Sequence, residues 1–331
     1  MSEKLTMADI AKMAGVGKST VSRYFNGGYV KEETKEKIKK IVEENHYEPN
    51  AVAQMLKAKK SNTIGIIAPT LDSVTSSRMM MTMNEYLISK GYDAIVMSTN
   101  YSEERELKLI DKLWKMNCDG IVLLATNISD NHRELSKLVD IPVVFVGQKI
   151  NNTAYVIYDD YHAGFEVGNY IASKGHRDIL YVGVTERDEA VGINRKMGVY
   201  DALESYEGMK IDFLETTFSF DYTARLIKEY IKNTESLPTA FVCATDNMAL
   251  AAYKELNYRG IRVPDDVSII SFGDYEYSHV VTPSITAIRF ENEEAGCIAG
   301  QTIIDMIDGK EYKKRQVVGY VLIEGGSVKE I

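Results

Sequence analysis

Polar and basic side chains cluster near the amino terminus, in residues 17–23. Lys18 and Arg23 can donate to guanine acceptors, while hydroxyl groups can bond either bases or phosphates. Such side chains read base edges when they stand at the start of a helix that enters the major groove of DNA. Their spacing also fits a small helical bundle with solvated charges, so spacing alone leaves both interpretations open. The candidate contacts are Gly17, Lys18, Ser19, Thr20, Ser22 and Arg23.

The residues around this segment predict three short helices. Thr6 and Asp9 resemble a capping box, with Asp in place of the usual Glu or Gln, and apolar residues then recur at helical spacing. Gly15 lies in a short connection to a second helix over residues 18–25, and a third helix is expected over residues 32–45. Two short helices joined by a tight turn that contains glycine form a helix-turn-helix.

Charge is distributed unevenly along the 331 residues, whose formal net charge is −9. Residues 1–60 contain 12 Lys and Arg against 8 Asp and Glu, a charge of +4. The remaining residues contain 27 against 40, a charge of −13. A basic segment attached to an acidic body points to a nucleic-acid partner at one end only.

The sequence lacks the patterns that mark common enzyme and metal sites. Its three cysteines form no CxxC pair, its five histidines have no metal-ligand spacing, and it has no phosphate-binding glycine loop or nucleophile elbow. Carboxylate pairs such as Asp159-Asp160 are common in turns and carry no catalytic assignment. We therefore expect a regulator rather than an enzyme, with no metal and no cofactor.

The sequence also shows no membrane or export signal. No apolar run approaches the roughly 18 residues of a membrane helix, and the amino terminus is polar. Three unpaired cysteines suit a reducing compartment. We expect no membrane partner and a cytoplasmic location, with attachment to the nucleoid when DNA is bound.

From Ser61 onward, strand-like apolar runs alternate with amphipathic stretches. This alternation predicts parallel sheets with helices on both faces. About 270 residues is too long for one such sheet, so two α/β subdomains are expected. Because ligands bind beyond the carboxyl ends of the strands in open α/β sheets, the sequence predicts a ligand cleft between the subdomains.

The amino-terminal segment resembles the headpiece signature of LacI/GalR regulators. The similarity covers residues 9–23 and Asn26, and continues through Tyr47 and residues 49–56. Gly17 departs from the pattern, since many members have serine there. The resemblance implies that the second helix reads the major groove.

The resemblance further implies that residues 50–57 form a hinge helix, which enters the minor groove at the centre of an operator. Leu56 matches a leucine that wedges between the central base steps, and such a wedge partly unstacks a step and bends the duplex. A leucine packed on the body is the alternative. The additional DNA contacts implied by the resemblance are Thr6, Asn26, Tyr47, Asn50, Ala53, Gln54 and Leu56.

The body resembles the effector-sensing part of the same family over essentially its whole length, with motifs such as Arg195-x-x-Gly198. The implied fold class is α/β, an all-α helix-turn-helix headpiece plus a two-subdomain, periplasmic-binding-protein-like (Rossmann-like) effector domain. The implied domains are residues 1–60, which include the hinge helix, and residues 61–331, for effector binding and dimerisation. Subdomain one spans about 61–158 and 290–318, and subdomain two about 159–289 and 319–331.

Members of the family bind an effector between the subdomains, and Arg195 matches the arginine that donates to a sugar or purine there. A surface ion pair is the alternative for Arg195. Asp246 follows a strand and begins a helix, so it either caps that helix or accepts from a sugar hydroxyl. The aromatic candidates fit either the face of a sugar or the core. The other implied contacts are Ser73, Thr75, Ser76, Tyr158, Phe218 and Phe220.

Two positions leave the chemistry of the effector open. Arg78 could serve an anionic effector, such as an acidic or phosphorylated sugar, or be an exposed charge at a helix start. Many sugar-responsive members have two adjacent aspartates after the strand that ends here at Phe272, whereas this chain has Gly273 and Asp274. Either Asp274 substitutes for the missing carboxylate or the effector differs from a simple hexose.

The resemblance implies a homodimeric repressor of carbohydrate-utilisation genes. It would bind double-stranded operator DNA and be controlled by a small sugar, sugar acid or sugar phosphate. An alternative is a catabolite-control regulator whose DNA affinity is set by a protein partner, and another is a sugar-processing enzyme with a DNA-binding headpiece. Because no leucine heptad segment follows the body, a dimer is expected rather than a tetramer.

Overall fold

The chain divides into two units, Met1–Ser61 and Asn62–Ile331. The structure is a computed structural model, and it describes residues 5–25, 27–45, 47 and 60–331. The hinge helix expected over residues 50–57 lies outside the described residues.

The first unit contains the helices α1 (Met7–Ala14), α2 (Lys18–Phe25) and α3 (Glu32–Glu44). Thr6 caps α1, because its hydroxyl accepts from the Asp9 amide at 3.3 Å and its own amide donates to the Asp9 carboxylate at 2.8 Å. Gly15 ends α1 with φ +64°, a conformation that glycine adopts without steric cost. α1 and α2 therefore meet at a tight turn.

One apolar cluster holds these helices together. Val21 of α2 and Ile38 of α3 are fully buried, and the Phe25 ring packs on Tyr47 with 5.8 Å between centroids. Lysines and glutamates cover the outer faces, which is the amphipathic pattern of surface helices. The predicted helix-turn-helix is confirmed. The buried residues of the cluster are Ile10, Ala11, Ala14, Val21, Ile38 and Tyr47.

The second unit alternates strands and helices along the chain. Its strands are β1 (Thr63–Ala68), β2 (Asp93–Ser98), β3 (Gly120–Leu124), β4 (Val143–Val146), β5 (Ala154–Tyr158), β6 (Asp178–Val184), β7 (Lys210–Thr216), β8 (Ala240–Cys243), β9 (Ser268–Phe272), β10 (Thr286–Phe290), β11 (Arg315–Val318) and β12 (Tyr320–Ile323). Its α-helices are α4 (Val74–Ser89), α5 (Glu103–Lys115), α6 (Asp130–Leu138), α7 (Asp160–Ser173), α8 (Lys196–Glu204), α9 (Phe220–Asn233), α10 (Asp246–Tyr258) and α11 (Asn292–Ile307). A π-helical segment, Glu189–Arg195, leads directly into α8, and a 3₁₀ helix covers Glu276–His279.

These strands form two six-stranded sheets. The first sheet has the order β11-β5-β4-β3-β1-β2, and the second has the order β12-β10-β9-β8-β6-β7. β10 and β12 pair antiparallel, while the other neighbouring strands run parallel. Strands such as β1 and β9 are buried along their whole length because helices cover both faces. The predicted fold class of two α/β subdomains is confirmed.

The chain passes between the sheets three times. It leaves the first sheet after β5, returns through α11 to β11, and enters the second sheet again at β12. Residues that directly follow strands of both sheets line one shared cleft. The carboxyl ends of the two sets of strands therefore form its walls, as expected for open α/β sheets.

Apolar alternation in the sequence does not predict five of the strands, β5, β7, β10, β11 and β12. β7 is an edge strand with mixed exposure, so its apolar pattern is weak. β11 and β12 are likewise edge strands with partly exposed residues, unlike the equally short but fully buried β4 and β8. In the part of the chain that the structure describes, every helix is too short or too polar to cross a bilayer.

Candidate functional site

The outer face of α2 carries the donors predicted to read DNA. Gly17 stands exposed just before the helix, and its carbonyl oxygen accepts from the Thr20 amide at 2.9 Å. The Arg23 Nε donates to the Ser19 carbonyl oxygen at 3.4 Å, so this guanidinium lies along the helix. Donors at the exposed start of a second helix are the arrangement that enters a major groove. The exposed or partly exposed residues of α2 include Lys18, Ser19, Thr20, Ser22 and Arg23.

Two other candidate DNA contacts have structural roles within the first unit. The Thr6 hydroxyl belongs to the α1 cap and also donates to the Asp9 carboxylate at 2.6 Å. Tyr47 is 8% exposed, and its burial raises the pKa of its hydroxyl. Their DNA contacts stay predictions. The candidates Asn26, Asn50, Ala53, Gln54 and Leu56 lie outside the described residues.

The cleft between the two sheets has a volume of about 730 Å³, which is in the range of small-molecule sites. It brings together predicted contacts from both halves of the second unit. Tyr158 packs against the cores of both sheets, so it stands where the chain first crosses between them. The predicted residues that line the cleft are Ser73, Thr75, Ser76, Tyr158, Arg195 and Phe218.

Arg195 is held rigidly at the wall of the cleft and is only 6% exposed. Its Nε and Nη2 donate to one carboxylate oxygen of Asp160, at 3.1 and 2.6 Å, and its Nη1 donates to the Ala244 carbonyl oxygen. The guanidinium lies over the Phe272 and Phe290 rings, 4.7 and 4.9 Å from their centroids. These hydrogen bonds use three of its five N–H groups, so two are left for other acceptors.

Close helix packing positions this arginine. A Cβ on Gly164 of α7 would lie 2.1 Å from the Arg195 carbonyl oxygen. A Cβ on Gly198 of α8 would lie 2.0 Å from the Tyr161 carbonyl oxygen. Only glycine permits these approaches, which explains why the Arg195-x-x-Gly198 spacing belongs to the site. They bring Asp160, the first residue of α7, against the guanidinium.

Asp188 lies on the same wall, after β6. Its Oδ1 accepts from the Val191 amide at 2.9 Å, and the Gln148 Nε2 of the opposite wall is 3.5 Å away. Burial raises the pKa of the Asp188 carboxyl, and the Asp160 charge adds to this, while the Val191 amide and Arg195 oppose it. Among the described residues, no Lys or Arg forms an ion pair with Asp188. The Val191 and Ala190 amides and the Gln148 side chain use three of the roughly four acceptor positions of a carboxylate, so acceptor capacity remains for a ligand.

Asp246 does not line the cleft, contrary to its assignment as an effector contact. It is 1% exposed, and its carboxylate accepts from the Ser271 hydroxyl, the Ser278 hydroxyl at 2.5 Å and the Tyr275 amide at 2.7 Å. Burial raises the pKa of its carboxyl, against these three hydrogen bonds. Asp246 therefore fixes the loop that follows β9. Its hydrogen-bond partners are distant from it in the sequence.

Asp274 also lies away from the cleft lining. Its Oδ2 pairs with Arg289 at 3.6 Å, while its buried Oδ1 lies 3.0 Å from the His279 Nε2 without forming a hydrogen bond. Gly273, the departure noted in the sequence, has φ +150°, and a Cβ there would lie 2.8 Å from the Asp246 carboxylate. Asp274 is thus no substitute for the missing aspartate, because the loop is built around Asp246.

Two further assignments to the cleft are not supported. Arg78 pairs with Glu276, and with Glu293 at 3.8 Å, rather than lining the cleft. Phe220 begins α9, where the Lys254 ammonium lies 5.3 Å from its ring centroid. Both side chains are already engaged outside the cleft lining.

The sequence interpretation missed several lining residues. Tyr101 and Phe218 stack across the mouth, with centroids 6.1 Å apart and an angle of 11° between the rings. Asp160 and Asp188 could have been found, since each follows closely on a strand whose carboxyl end faces the cleft. Gln148 and Tyr275 carry no local signal. The missed polar and aromatic lining residues include Tyr101, Gln148, Asp160, Asp188 and Tyr275.

The described residues contain no group of three His, Cys, Asp or Glu side chains placed to hold a metal ion. The cleft offers hydrogen-bond donors, acceptors and aromatic faces instead. Such a lining suits reversible binding of a small polar molecule.

Comparison with known proteins shows similarity in both units. Residues 6–50 match the bacterial regulatory proteins of the lacI family, and residues 169–328 match the periplasmic binding protein-like domain. A sucrose operon repressor of Staphylococcus xylosus is 34% identical over 94% of this chain and 97% of its own length. Catabolite control protein A of Priestia megaterium is 28% identical over 89% of this chain and 90% of its own.

The fold also matches solved structures. The lac repressor dimer bound to operator and the anti-inducer ONPF aligns over 99% of this chain and all of that chain, with a TM-score of 0.88. At 21% identity this likeness shows a shared fold.

Proposed function

The chain belongs to the lacI family of bacterial regulatory proteins, and we propose that it is a sequence-specific DNA-binding repressor of carbohydrate-utilisation genes. A small carbohydrate bound in the cleft controls its affinity for DNA. The observation that carries the proposal is the presence, in one chain, of exposed donors on α2 and a cleft walled by two sheets. The similarity to a sucrose operon repressor supports the carbohydrate class.

We propose that the chain binds double-stranded operator DNA as a homodimer. Two copies of α2 then read half-sites in successive major grooves, and paired hinge helices bend the centre through Leu56. The operator-bound dimer of the lac repressor, which shares the fold, supports this assembly. We also propose that residues 1–60 bind DNA and that residues 61–331 bind the effector and form the dimer.

We propose that the effector works by changing the relation between the two sheets. Arg195 and Asp188 line the wall formed by the second sheet, whereas Thr75 and Gln148 line the wall formed by the first. A ligand that binds both walls favours one arrangement of the cleft. A coupling of about 1–3 kcal/mol is enough to alter DNA affinity by roughly 5–150-fold. The protein acts as a regulator in the cytoplasm, without a catalytic role.

A second candidate function is that of a catabolite-control regulator governed by a protein partner. The similarity to catabolite control protein A supports this second candidate. The cleft, lined by hydrogen-bonding and aromatic side chains, favours the carbohydrate instead, because a protein partner does not require it. Thermal melting of the full chain with a panel of sugars separates the two candidate functions. If no sugar raises the melting temperature, control by a protein partner is supported.

The test is nuclease footprinting of the promoter regions beside carbohydrate genes, with and without candidate sugars. We expect a protected, roughly palindromic site whose protection weakens when one of the sugars is added. Lys18→Ala should change which half-site bases are preferred, while Leu56→Ala should weaken binding and reduce bending. Protection that ignores DNA sequence contradicts the proposal, and so does protection that no sugar alters.

A further inference from the structure

The two arginines predicted to contact the effector are each paired with a carboxylate. Arg195 pairs with Asp160, and Arg78 pairs with Glu276 and Glu293. These pairings leave Arg195 as a hydrogen-bond donor whose charge is balanced by its partner. The site therefore offers directional donors without a net positive charge.

The charged residues that line the cleft are Asp72, Asp160, Asp188 and Arg195. Three carboxylates against one guanidinium give the lining a charge of −2 when all are ionised. Such a lining repels an anion, and low-dielectric walls strengthen the repulsion. A phosphate or carboxylate group on the effector would also lose hydration without finding an unpaired cation.

The hydrogen-bonding and aromatic groups of the cleft suit a sugar. Asp188 has free acceptor capacity, and Arg195 has two N–H groups left, so the same wall can accept from one hydroxyl and donate to the next. The Tyr101 and Phe218 rings provide an apolar surface at the mouth. A sugar complements these groups, because it carries adjacent hydroxyls on a ring with apolar C–H faces.

We infer that the effector is an uncharged carbohydrate, and that Asp188 is the residue through which the cleft rejects phosphorylated and acidic sugars. This inference rests on the proposed function and makes it narrower. It also replaces the earlier expectation that Arg78 serves an anionic effector.

The experiment is isothermal titration calorimetry of the full-length protein with matched probes. The panel contains sucrose and sucrose 6-phosphate, fructose and fructose 6-phosphate, glucose and glucose 6-phosphate, gluconate, ribose and ribose 5-phosphate. At least one neutral sugar should bind, and its charged counterpart should bind at least tenfold more weakly, about 1.4 kcal/mol. A phosphate or acid that binds as tightly as its neutral parent overturns the inference.

Operator release, measured on the same samples, separates the two levels of the proposal. If only a sugar phosphate binds and releases operator, the proposed function stands and the uncharged effector is wrong. If no probe binds or changes operator affinity, both the uncharged effector and carbohydrate control are wrong.

A variant tests the role of Asp188. Asp188→Asn keeps an oxygen that can accept from the Val191 amide, since Asn is also a good helix-capping residue. It should weaken binding of the neutral sugar and reduce the preference for that sugar over its phosphate by about tenfold. Glu207→Gln is the matched control. It removes the same charge outside the cleft, because Glu207 is exposed in the loop before β7. Equal discrimination in both variants overturns the assignment to Asp188.

Discussion

Two aspartates in the second unit, the buried Asp246 and the half-buried Asp188, have opposite environments. Asp246 accepts three hydrogen bonds from residues 25 to 32 positions away and does not line the cleft. Asp188 accepts from the nearby Val191 amide, has no ion-pair partner among the described residues, and faces the cleft. The first carboxylate is satisfied by the fold, whereas the second retains capacity for a ligand.

This difference separates residues that build the cleft from residues that bind in it. A buried charge that the protein fully satisfies stabilises one loop conformation, and its loss leaves several orphan donors. A buried charge that the protein only partly satisfies costs stability until a ligand completes its shell. Arg195 combines both conditions, since Asp160 fixes it while two N–H groups remain.

The largest effect should come from Arg195→Met. It leaves Asp160 buried without its cation, which costs about 3–5 kcal/mol, and it removes the donors that face the cleft. Urea denaturation measures the loss of stability, and calorimetry should show no sugar binding. Arg225→Met, at an exposed position on α9, is the control and should change neither. A stable Arg195→Met protein that still binds sugar would remove Arg195 from the site.

A somewhat smaller effect is expected for Asp246→Ala. The Ser271 hydroxyl, the Ser278 hydroxyl and the Tyr275 amide lose their acceptor, which should cost about 3 kcal/mol. Asp246→Asn keeps one acceptor oxygen and should cost less. A stability change below about 0.5 kcal/mol for Asp246→Ala would show that the two aspartates do not differ as described.

The contrast predicts that Asp188→Asn stabilises the sugar-free protein, whereas Asp246→Ala destabilises it. Burial raises the pKa of the Asp188 carboxyl, so the folded state holds its proton more tightly than the unfolded state. This group therefore lowers stability as pH rises from about 3.8 through its raised pKa, and the cost persists at neutral pH. Removing the charge should raise the free energy of unfolding by about 1 kcal/mol at pH 7.

The same carboxyl should make sugar binding depend on pH. Hydroxyl donors favour its charged form, so affinity should rise with pH through the raised pKa of Asp188 and then level off. Asp160 and Arg195, the charged groups that act on Asp188, remain paired with each other. Titrations at several pH values check this, and Asp188→Asn should flatten the profile. An equally steep profile in the variant assigns the dependence to another group.

The smallest effect is expected for Arg78→Met. Arg78 and Glu276 form a partly exposed ion pair, which should contribute below about 1 kcal/mol. The preference for a neutral sugar over its phosphate should stay unchanged, because Arg78 does not line the cleft. A selective loss of phosphate binding in this variant would restore Arg78 as an effector contact.

The sequence predicted what depends on neighbouring residues. The Thr6 and Asp9 cap, the turn at Gly15 and the helix that carries Lys18 are local, and so is the Arg195-x-x-Gly198 spacing. Central strands such as β1 and β9 could be predicted because they are continuous apolar runs, whereas the partly exposed edge strand β7 could not. Local pattern was therefore sufficient for the fold class, whereas the assignment of Arg195 to the effector site came from the family resemblance.

The different roles of Asp246 and Asp188 could not be predicted because they depend on distant residues. Asp246 looked like a ligand contact until Ser271 and Ser278 were found on its carboxylate. Asp188 acquires its role from Gln148, which lies 40 residues away on the opposite wall. Only the fold brings these groups together, and no sequence motif records the distances.

The most direct test of a sugar-controlled repressor is fluorescence anisotropy of a labelled operator fragment at fixed salt. The full-length protein is titrated with and without the neutral sugar that calorimetry identifies. We predict specific binding that weakens at least fivefold when the sugar saturates the cleft, with no such change for Arg195→Met or for a scrambled fragment. Identical operator affinity with and without the sugar would contradict the account.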